Sequence, residues 1–342
     1  MATCQWLRRA SLAFILLACS CCQLQPISFA VQRSLDELRE RSGNQMHTAA
    51  TANPANDMPD IPKEEMRIIT EISKAGQDRN WLRAKAAYGR SSGLARNVYK
   101  AAMVAAVKCR EYNDGATVYD RLCNAGLPKT FVTYGTALKL FSKLDRQDKV
   151  NDIIKDIWEN VVPDRALFGS MIDSVAEAGK VNEAIELLDA MRSQRLVLDA
   201  VTWGSAINAC KNSQNSTVAR FLLDFMIKTG VAPTVIVFNN VVCAHSGAGL
   251  RHLQKLRADM VQMGIQADSP FVENYVASVA GDRVIESRTV AGVVDDFASV
   301  DPERLKEMSH SIAEARANSI RLSGLVKNVE GALRVMGYAY QQ

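Results

Sequence analysis

The chain has 342 residues, of which 48 % are apolar and 6 % aromatic, with 9 prolines and 19 glycines. Its formal net charge of +4 is mildly basic, which tolerates a nucleic-acid partner but does not demand one. Length alone would allow about two domains, an arithmetic that a repeat array escapes because it elongates instead of growing one core.

The amino terminus opens as a targeting segment. Arg8 and Arg9 precede an apolar run from Ala10 to Cys22, which fits the basic and hydrophobic regions of a signal peptide. The run is short of the roughly 20 apolar residues of a membrane span, so a signal anchor is the lesser alternative. Ile27-Ser28-Phe29-Ala30 follows, and residues 31–60 are rich in Ala, Asn and Thr with little apolar content. A signal peptide followed by a transit segment starting near a phenylalanine is the address of plastids enclosed by extra membranes. Asp36, Glu37 and Glu40 depart from the acid-poor transit pattern. The expectation is therefore a plastid protein, meeting a membrane only during targeting, with a mitochondrion second and secretion third.

Cysteine usage supports a reducing destination. Cys4, Cys19, Cys21 and Cys22 would leave with the leader, while Cys109, Cys123, Cys210 and Cys243 lie in the helical body. Those four contain no C-x-x-C and have no histidine at zinc spacing. They read as small buried apolar residues of a compartment that does not form disulfides.

From residue 61 the chain acquires a beat. Tyr99, Tyr134, Phe168, Trp203 and Phe238 are spaced 35, 34, 35 and 35 residues apart, and an apolar residue follows each by four: Met103, Leu138, Ile172, Ile207 and Val242. An i, i+4 pair shares one helix face, so each unit opens with a helix anchored by that pair. A second stripe at i, i+3, i+4, i+7 follows: Val150, Ile153, Ile154, Ile157, then Ala184, Leu187, Leu188, Met191, then Ala219, Leu222, Leu223, Met226. Gly126, Gly230 and Gly264 stand where the second helix should end, suited to a left-handed C′ residue. Pro128, Pro163 and Pro233 prevent continuation, and Ala75-Gly76 and Ala178-Gly179 mark turns inside hairpins. The expected fold is all-α, a right-handed α-solenoid of stacked helix-turn-helix repeats of 34–35 residues. Clear tiers span 96–130, 131–164, 165–199, 200–234 and 235–268, preceded by a weaker one, 61–95, with Ala84, Ala87 and Tyr88 as its stripe.

Residues 269–342 read as a decayed repeat and a polar helical cap. Val272 and Val276 continue the rhythm weakly. Asp301-Pro302-Glu303 reads as an N-cap with proline in the first turn, and the helix after it is charged: Arg304, Lys306, Glu307, Glu314, Arg316. No phosphate-binding loop or nucleophile elbow is present, and the deaminase signature His-x-Glu with Pro-Cys-x-x-Cys is missing. The expectation is a protein that is not an enzyme, takes no cofactor or metal, and has no small-molecule substrate.

Openings such as Val132-Thr133-Tyr134, Val201-Thr202-Trp203 and Val237-Phe238-Asn239 carry a family resemblance, as do the body Ala178-Gly179-Lys180-Val181-Asn182-Glu183-Ala184 and the closing Val162-Pro163-Asp164. At this period they resemble pentatricopeptide repeats. The Trp-x-x-Leu-Gly-x-x-Tyr of the tetratricopeptide repeat is absent. The resemblance implies an organellar binder of single-stranded RNA in which one repeat reads one base. It acts in RNA processing, stability or translation, with the first helix of each tier lining the groove. In that family the residue after the aromatic and the last residue of the repeat read the base, and an apolar residue two before the aromatic wedges between bases.

Carried over, the resemblance implies the reading pairs Asn239 with Asp268, Gly204 with Thr234, Gly169 with Asp199, Gly135 with Asp164, and Lys100 with Thr130. The wedges are Val132, Ala166, Val201 and Ile236, with Asn97 in the slot of the first clear tier. Asn239 with Asp268 is the family-like pair, which in that family prefers uracil. Glycine has no side chain to bond a base, so three tiers would bind without reading, or would serve close packing of neighbouring first helices. Lys108 and Lys143, 35 residues apart, with Lys139 and Lys211 are the phosphate-contact candidates. Glu177 and Ser246 interrupt that column. A helical-repeat scaffold that binds protein partners is the alternative function.

Overall fold

The computed structural model describes residues 62–281, 285 and 287–338, and the regular structure among them is entirely helical. The expectations for the leader and transit segment lie outside the described residues. Sixteen helices follow one another among the described residues. The described residues divide into two compact units, one running to Ala178 and including Asn182–Val197, the other made of Gly179–Val181 and the described residues from Leu198 onward.

The first unit holds α1 (Lys63–Gln77), α2 (Trp81–Tyr88), α3 (Arg96–Cys109), α4 (Tyr112–Asn124), α5 (Phe131–Lys143), α6 (Gln147–Asn160), α7 (Arg165–Glu177) and nearly all of α8 (Val181–Ser193). The second holds α9 (Ala200–Asn212), α10 (Ser216–Lys228), α11 (Val235–Ala244), α12 (Leu250–Gln262), α13 (Ser269–Ala280), α14 (Val290–Phe297), α15 (Pro302–Ala317) and α16 (Gly324–Val335). Successive first helices pack side by side within each unit: α1, α3, α5 and α7 in the first, α9, α11, α13 and α15 in the second. Each unit is a helical-repeat solenoid segment.

The aromatic beat builds the core of both units. Tyr99, Tyr134, Phe168, Trp203 and Phe238 are buried together with Met103, Leu138, Ile172, Ile207 and Val242. Each large apolar side chain taken out of water contributes roughly 1.5–3 kcal/mol, more than isolated helices of this length could gain from propensity. Rings also meet between hairpins. Tyr119 of α4 stands edge-on to Phe141 of α5 at 5.6 Å, and Trp158 of α6 edge-on to Phe168 of α7 at 5.8 Å.

The junctions follow from the glycine positions. Gly230 takes φ 83°, a left-handed conformation that costs glycine little, and lets Val231 N–H bond back to the Met226 carbonyl at 3.2 Å. Gly264 (φ 70°) and Ile265 do the same with Met260. The apolar residue after each glycine therefore closes the helix end.

Gly76 plays a different part from the one its Ala-Gly context implies. It lies inside α1, buried, and the left-handed turn residue is Arg79 at φ 53°. A Cβ at Gly76 would come within 2.9 Å of Ala105 Cβ and 3.0 Å of its Cα. The glycine exists so that α1 and α3 can approach, and the Ala-Gly pair imitates a turn only in sequence. Gly76→Val is expected to cost about 1–3 kcal/mol by overpacking, because backbone cannot yield as a side chain can. Chemical denaturation of the variant against wild type checks this, and an unchanged midpoint would refute the close-packing role.

The carboxyl-terminal segment is more built-in than a polar cap. Asp301 does cap α15, accepting from Glu303 N at 3.0 Å, with Pro302 in the first turn. Yet α15 buries Leu305, Met308, Ile312 and Ala315. Two of its charges turn inward as well: Glu307 and Glu314 pair with Arg257 of α12, and Tyr275 of α13 donates to Glu307 at 2.8 Å. Burial and the neighbouring Glu307 push the Tyr275 hydroxyl well above its ordinary pKa, so it stays a donor. Arg304 reaches the carbonyls of Val279 and Ala248 at 2.7 and 3.2 Å. Its guanidinium thereby satisfies a carbonyl that the end of α13 leaves open and another in the turn before α12.

Candidate nucleic-acid interface

The last residue of each repeat turns out to be the N-cap of the next first helix. Asp164 accepts from Leu167 N at 2.8 Å, Asp199 from Thr202 N at 2.9 Å, and Asp268 from Phe271 N at 2.8 Å. Thr130 and Thr234 do so with Thr133 N and Val237 N at 3.3 and 3.4 Å. Each cap satisfies an amide with no partner inside the helix. The Thr of the Val-Thr-aromatic opening completes the cap: Thr202 Oγ1 donates to Asp199 Oδ1 at 2.8 Å, and the Thr130 and Thr133 hydroxyls lie 2.9 Å apart.

The cap fixes the remainder of the first turn. Two residues after it stand Val132, Ala166, Val201 and Ile236, all exposed on their helices, with Val201 and Ile236 at 74 % and 65 %. Asn97, in the same slot of α3, is half-buried. Four residues after the cap the aromatic dives into the core. Five after it come the positions expected to read bases: Gly135 and Gly169 half-buried, Gly204 buried, Asn239 half-buried, and Lys100 exposed on α3, whose cap residue Ala95 offers no side-chain bond. In unit 1 the sequence-derived site residues Val132, Gly135, Ala166 and Gly169 thus recur on the first turns of α5 and α7. In unit 2 Val201, Gly204, Ile236, Asn239 and Asp268 recur on α9, α11 and α13.

The glycines are not equivalent. A Cβ at Gly135 would stand 3.0 Å from Ser170 Oγ of the next first helix, so α5 and α7 approach closely there. At Gly204 the nearest atom would be Val237 Cγ2, at an ordinary 3.6 Å, but Asn240 Nδ2 reaches the Gly204 carbonyl at 3.4 Å. Within unit 1 a Cβ at Gly169 would meet nothing within 4 Å. Close packing accounts for Gly135 and leaves Gly169 unexplained.

The basic column is thinner than its spacing suggests. Lys108 and Lys139 are exposed. Lys143 instead pairs with Glu177, one repeat later in the same register, at 2.6 Å. The residue that interrupts the column is the one that neutralises it. Lys211 is half-buried, and its charge pulls against the burial that pushes the Cys243 thiol up. Ser246, one repeat on from Lys211, donates to Gln214 Oε1 at 2.7 Å.

Sequence reasoning missed a further polar column, two residues after each core position from Tyr134 to Val272: Thr136, Ser170, Ser205, Asn240 and Asn274. Thr136 and Ser170 bond carbonyls of their own helices. Asn240 and Asn274 reach back to the preceding tier, the latter donating from Nδ2 to Asn239 Oδ1 at 3.0 Å. Its 34–35-residue recurrence was the available signal.

Among the described residues no cluster of three or more His, Cys, Asp or Glu is placed to hold a metal ion. No helix among them is long and apolar enough to cross a membrane.

The repeats match two family models, the PPR repeat over residues 159–192 and the pentatricopeptide repeat domain over residues 186–247. Among curated proteins of Arabidopsis thaliana, the small ribosomal subunit protein mL103 is 19 % identical over 175 residues, which is 50 % of this chain and 42 % of that protein. A pentatricopeptide repeat-containing protein is 26 % identical over 164 residues, 46 % of this chain and 22 % of its own length. Another, named chloroplastic, is 25 % identical over 196 residues, 57 % of this chain and 20 % of its own length, and further relatives are named mitochondrial. The chain thus spans less than half the length of these relatives. In fold it is similar to the pentatricopeptide repeat protein PPR10 from maize, with a TM-score of 0.55 and 19 % identity over 87 % of this chain and 38 % of that one. PPR10 in complex with an 18-nt psaJ RNA element gives 0.54 and 15 %, over 98 % of this chain and 42 % of that one. With its capped first helices, its 34–35-residue hairpins and these matches, the chain carries pentatricopeptide repeats over residues 159–247 and is similar to pentatricopeptide repeat proteins beyond them.

Proposed function

We propose that this protein binds single-stranded RNA through the first turns of its first helices, without chemistry of its own, and discriminates bases weakly. One observation carries the reading: exposed aliphatic side chains recur at the second position of first helices whose caps hold polar atoms beside them. An aliphatic group left in water at the same register in successive tiers has no folding role, whereas it can slide between splayed bases. PPR10, whose fold is similar, has been solved with RNA bound.

The chemistry of the tiers sets the specificity. A capping carboxylate repels phosphate but accepts an N–H from a base edge, so Asp164, Asp199 and Asp268 face bases and not the backbone. Gly135, Gly169 and Gly204 add no second contact. The tier of Asn239 and Asp268 sets an amide donor against a carboxylate acceptor, matching the uracil edge with its carbonyl oxygens and N3–H. Phosphates fall to Lys108 and Lys139, with Lys211 less accessible and Lys143 available only by releasing Glu177. Relatives named chloroplastic and mitochondrial support an organellar site of action. The leader pattern favours the plastid.

Binding to oligo-pyrimidine strands at two salt concentrations tests the reading. With roughly three phosphates neutralised, log K should fall with log salt with a slope of about −2. No binding at low salt would sink the RNA reading and favour a protein-binding scaffold.

A further inference from the structure

We infer that Asn274 is a positioning residue for base selection, fixing the amide of Asn239 so that its NH2 and not its carbonyl faces the base; this rests on the RNA reading above. Asn239 and Asn274 sit on neighbouring first helices, α11 and α13, both half-buried, and are joined by the Asn274 Nδ2 to Asn239 Oδ1 bond of 3.0 Å.

A primary amide has a donor end and an acceptor end of nearly the same shape. A lone Asn in a reading position can therefore rotate by half a turn about its terminal bond and present whichever end suits the base. Its discrimination is then small. In this protein the acceptor end is held by Asn274, so rotating the amide would leave Asn274 facing a second NH2 and forfeit the bond. The end left for a ligand is Nδ2, which donates only. On the far side of the same tier Asp268 accepts only, one of its oxygens already holding the Phe271 amide. A donor on one side and an acceptor on the other fit the O4 and N3–H of uracil. Cytosine carries the reverse order, an amino group where uracil has O4 and a bare N3 where uracil has N–H.

Asn274 follows the weak core position Val272 by two residues. The tier that has lost its aromatic thus still serves the tier before it. Ser170 against Gly135 shows the same register in unit 1, but there the partner has no side chain to orient.

The test uses the full-length protein with short oligo-U and oligo-C strands at low salt. The tiers of Asp164, Asp199, Thr234 and Lys100 with Thr130 are the same in wild type and variant, so the change in the strands' affinity ratio between the two reports on Asn239. Asn274→Asp leaves an acceptor where the donor was, which turns the Asn239 NH2 inward and its carbonyl outward. Two acceptors then flank the base, and the U-over-C ratio should fall by about five- to tenfold, the size of one hydrogen bond exchanged for an unfavourable contact. Asn274→Leu frees the amide and should lower the ratio by a smaller factor with similar affinity for both strands summed. A purely structural role for Asn274 would weaken both strands equally, and an unchanged ratio in Asn274→Asp overturns the inference while leaving the RNA reading intact. Absence of binding by the wild-type protein to either strand overturns both.

Discussion

Trp203→Ala is expected to cost about 3–5 kcal/mol, a large share of the stability of a domain of ordinary size. Trp203 is fully buried on α9 and packs against Phe225 of α10 with ring centroids 5.9 Å apart. Truncation removes the largest side chain of the unit 2 core and leaves a cavity that the flanking helices cannot close without losing their own register. Stability in stacked repeats is a sum of local and nearest-neighbour terms, so the damage should concentrate in α9, α10 and α11. Hydrogen exchange should show those helices opening first, with a lowered denaturation midpoint. The indole Nε1 makes no hydrogen bond in the protein. Trp203→Phe therefore sacrifices volume but no polar contact and should cost clearly less than the alanine change. A loss below about 1 kcal/mol for Trp203→Ala would contradict the account of the aromatic beat as core.

Much of the fold was legible because one physical constraint repeats. Each hairpin must bury a face against its neighbour, so Tyr99, Tyr134, Phe168, Trp203 and Phe238 recur at the repeat length, and their burial follows. The junctions at Gly230 and Gly264 were equally legible, since a left-handed residue after a helix favours glycine. Gly76 was not, because a glycine that permits close helix approach looks like one that makes a turn. Only the Cα and Cβ of Ala105 distinguish them.

The site was half legible. The proposed wedge and reading slots could be placed by counting from the aromatic, but the capping role of the last residue of each repeat could not. Asp164, Asp199 and Asp268 are helix caps first, which would keep them in place in a protein that had lost RNA binding. Lys143 and Glu177 could have been paired from the sequence, since opposite charges one repeat apart face each other on adjacent first helices. The bond between Asn274 and Asn239 depends on rotamers that spacing does not specify.

Because capping, packing and the proposed reading overlap in the first turn, the decisive variant is one that alters only the exposed position. Val201 and Ile236 are the best placed, both in unit 2 and both outside the core. Replacing both with aspartate puts a carboxylate at the second position of α9 and of α11, where the helix dipole favours it. The fold should keep its stability or gain a few tenths of a kcal/mol from each. RNA affinity should fall by about 2–4 kcal/mol, roughly 30- to 1000-fold, because two base wedges vanish and two negative charges meet the phosphates. Titration of the double variant with oligo-U alongside thermal unfolding separates the two effects. Unaltered affinity in a stable double variant would place the RNA elsewhere on the protein, and lost affinity with lost stability would mean that Val201 and Ile236 serve the fold. The pairing of undiminished stability with lost binding distinguishes an RNA-binding face from a surface whose aliphatic groups are incidental.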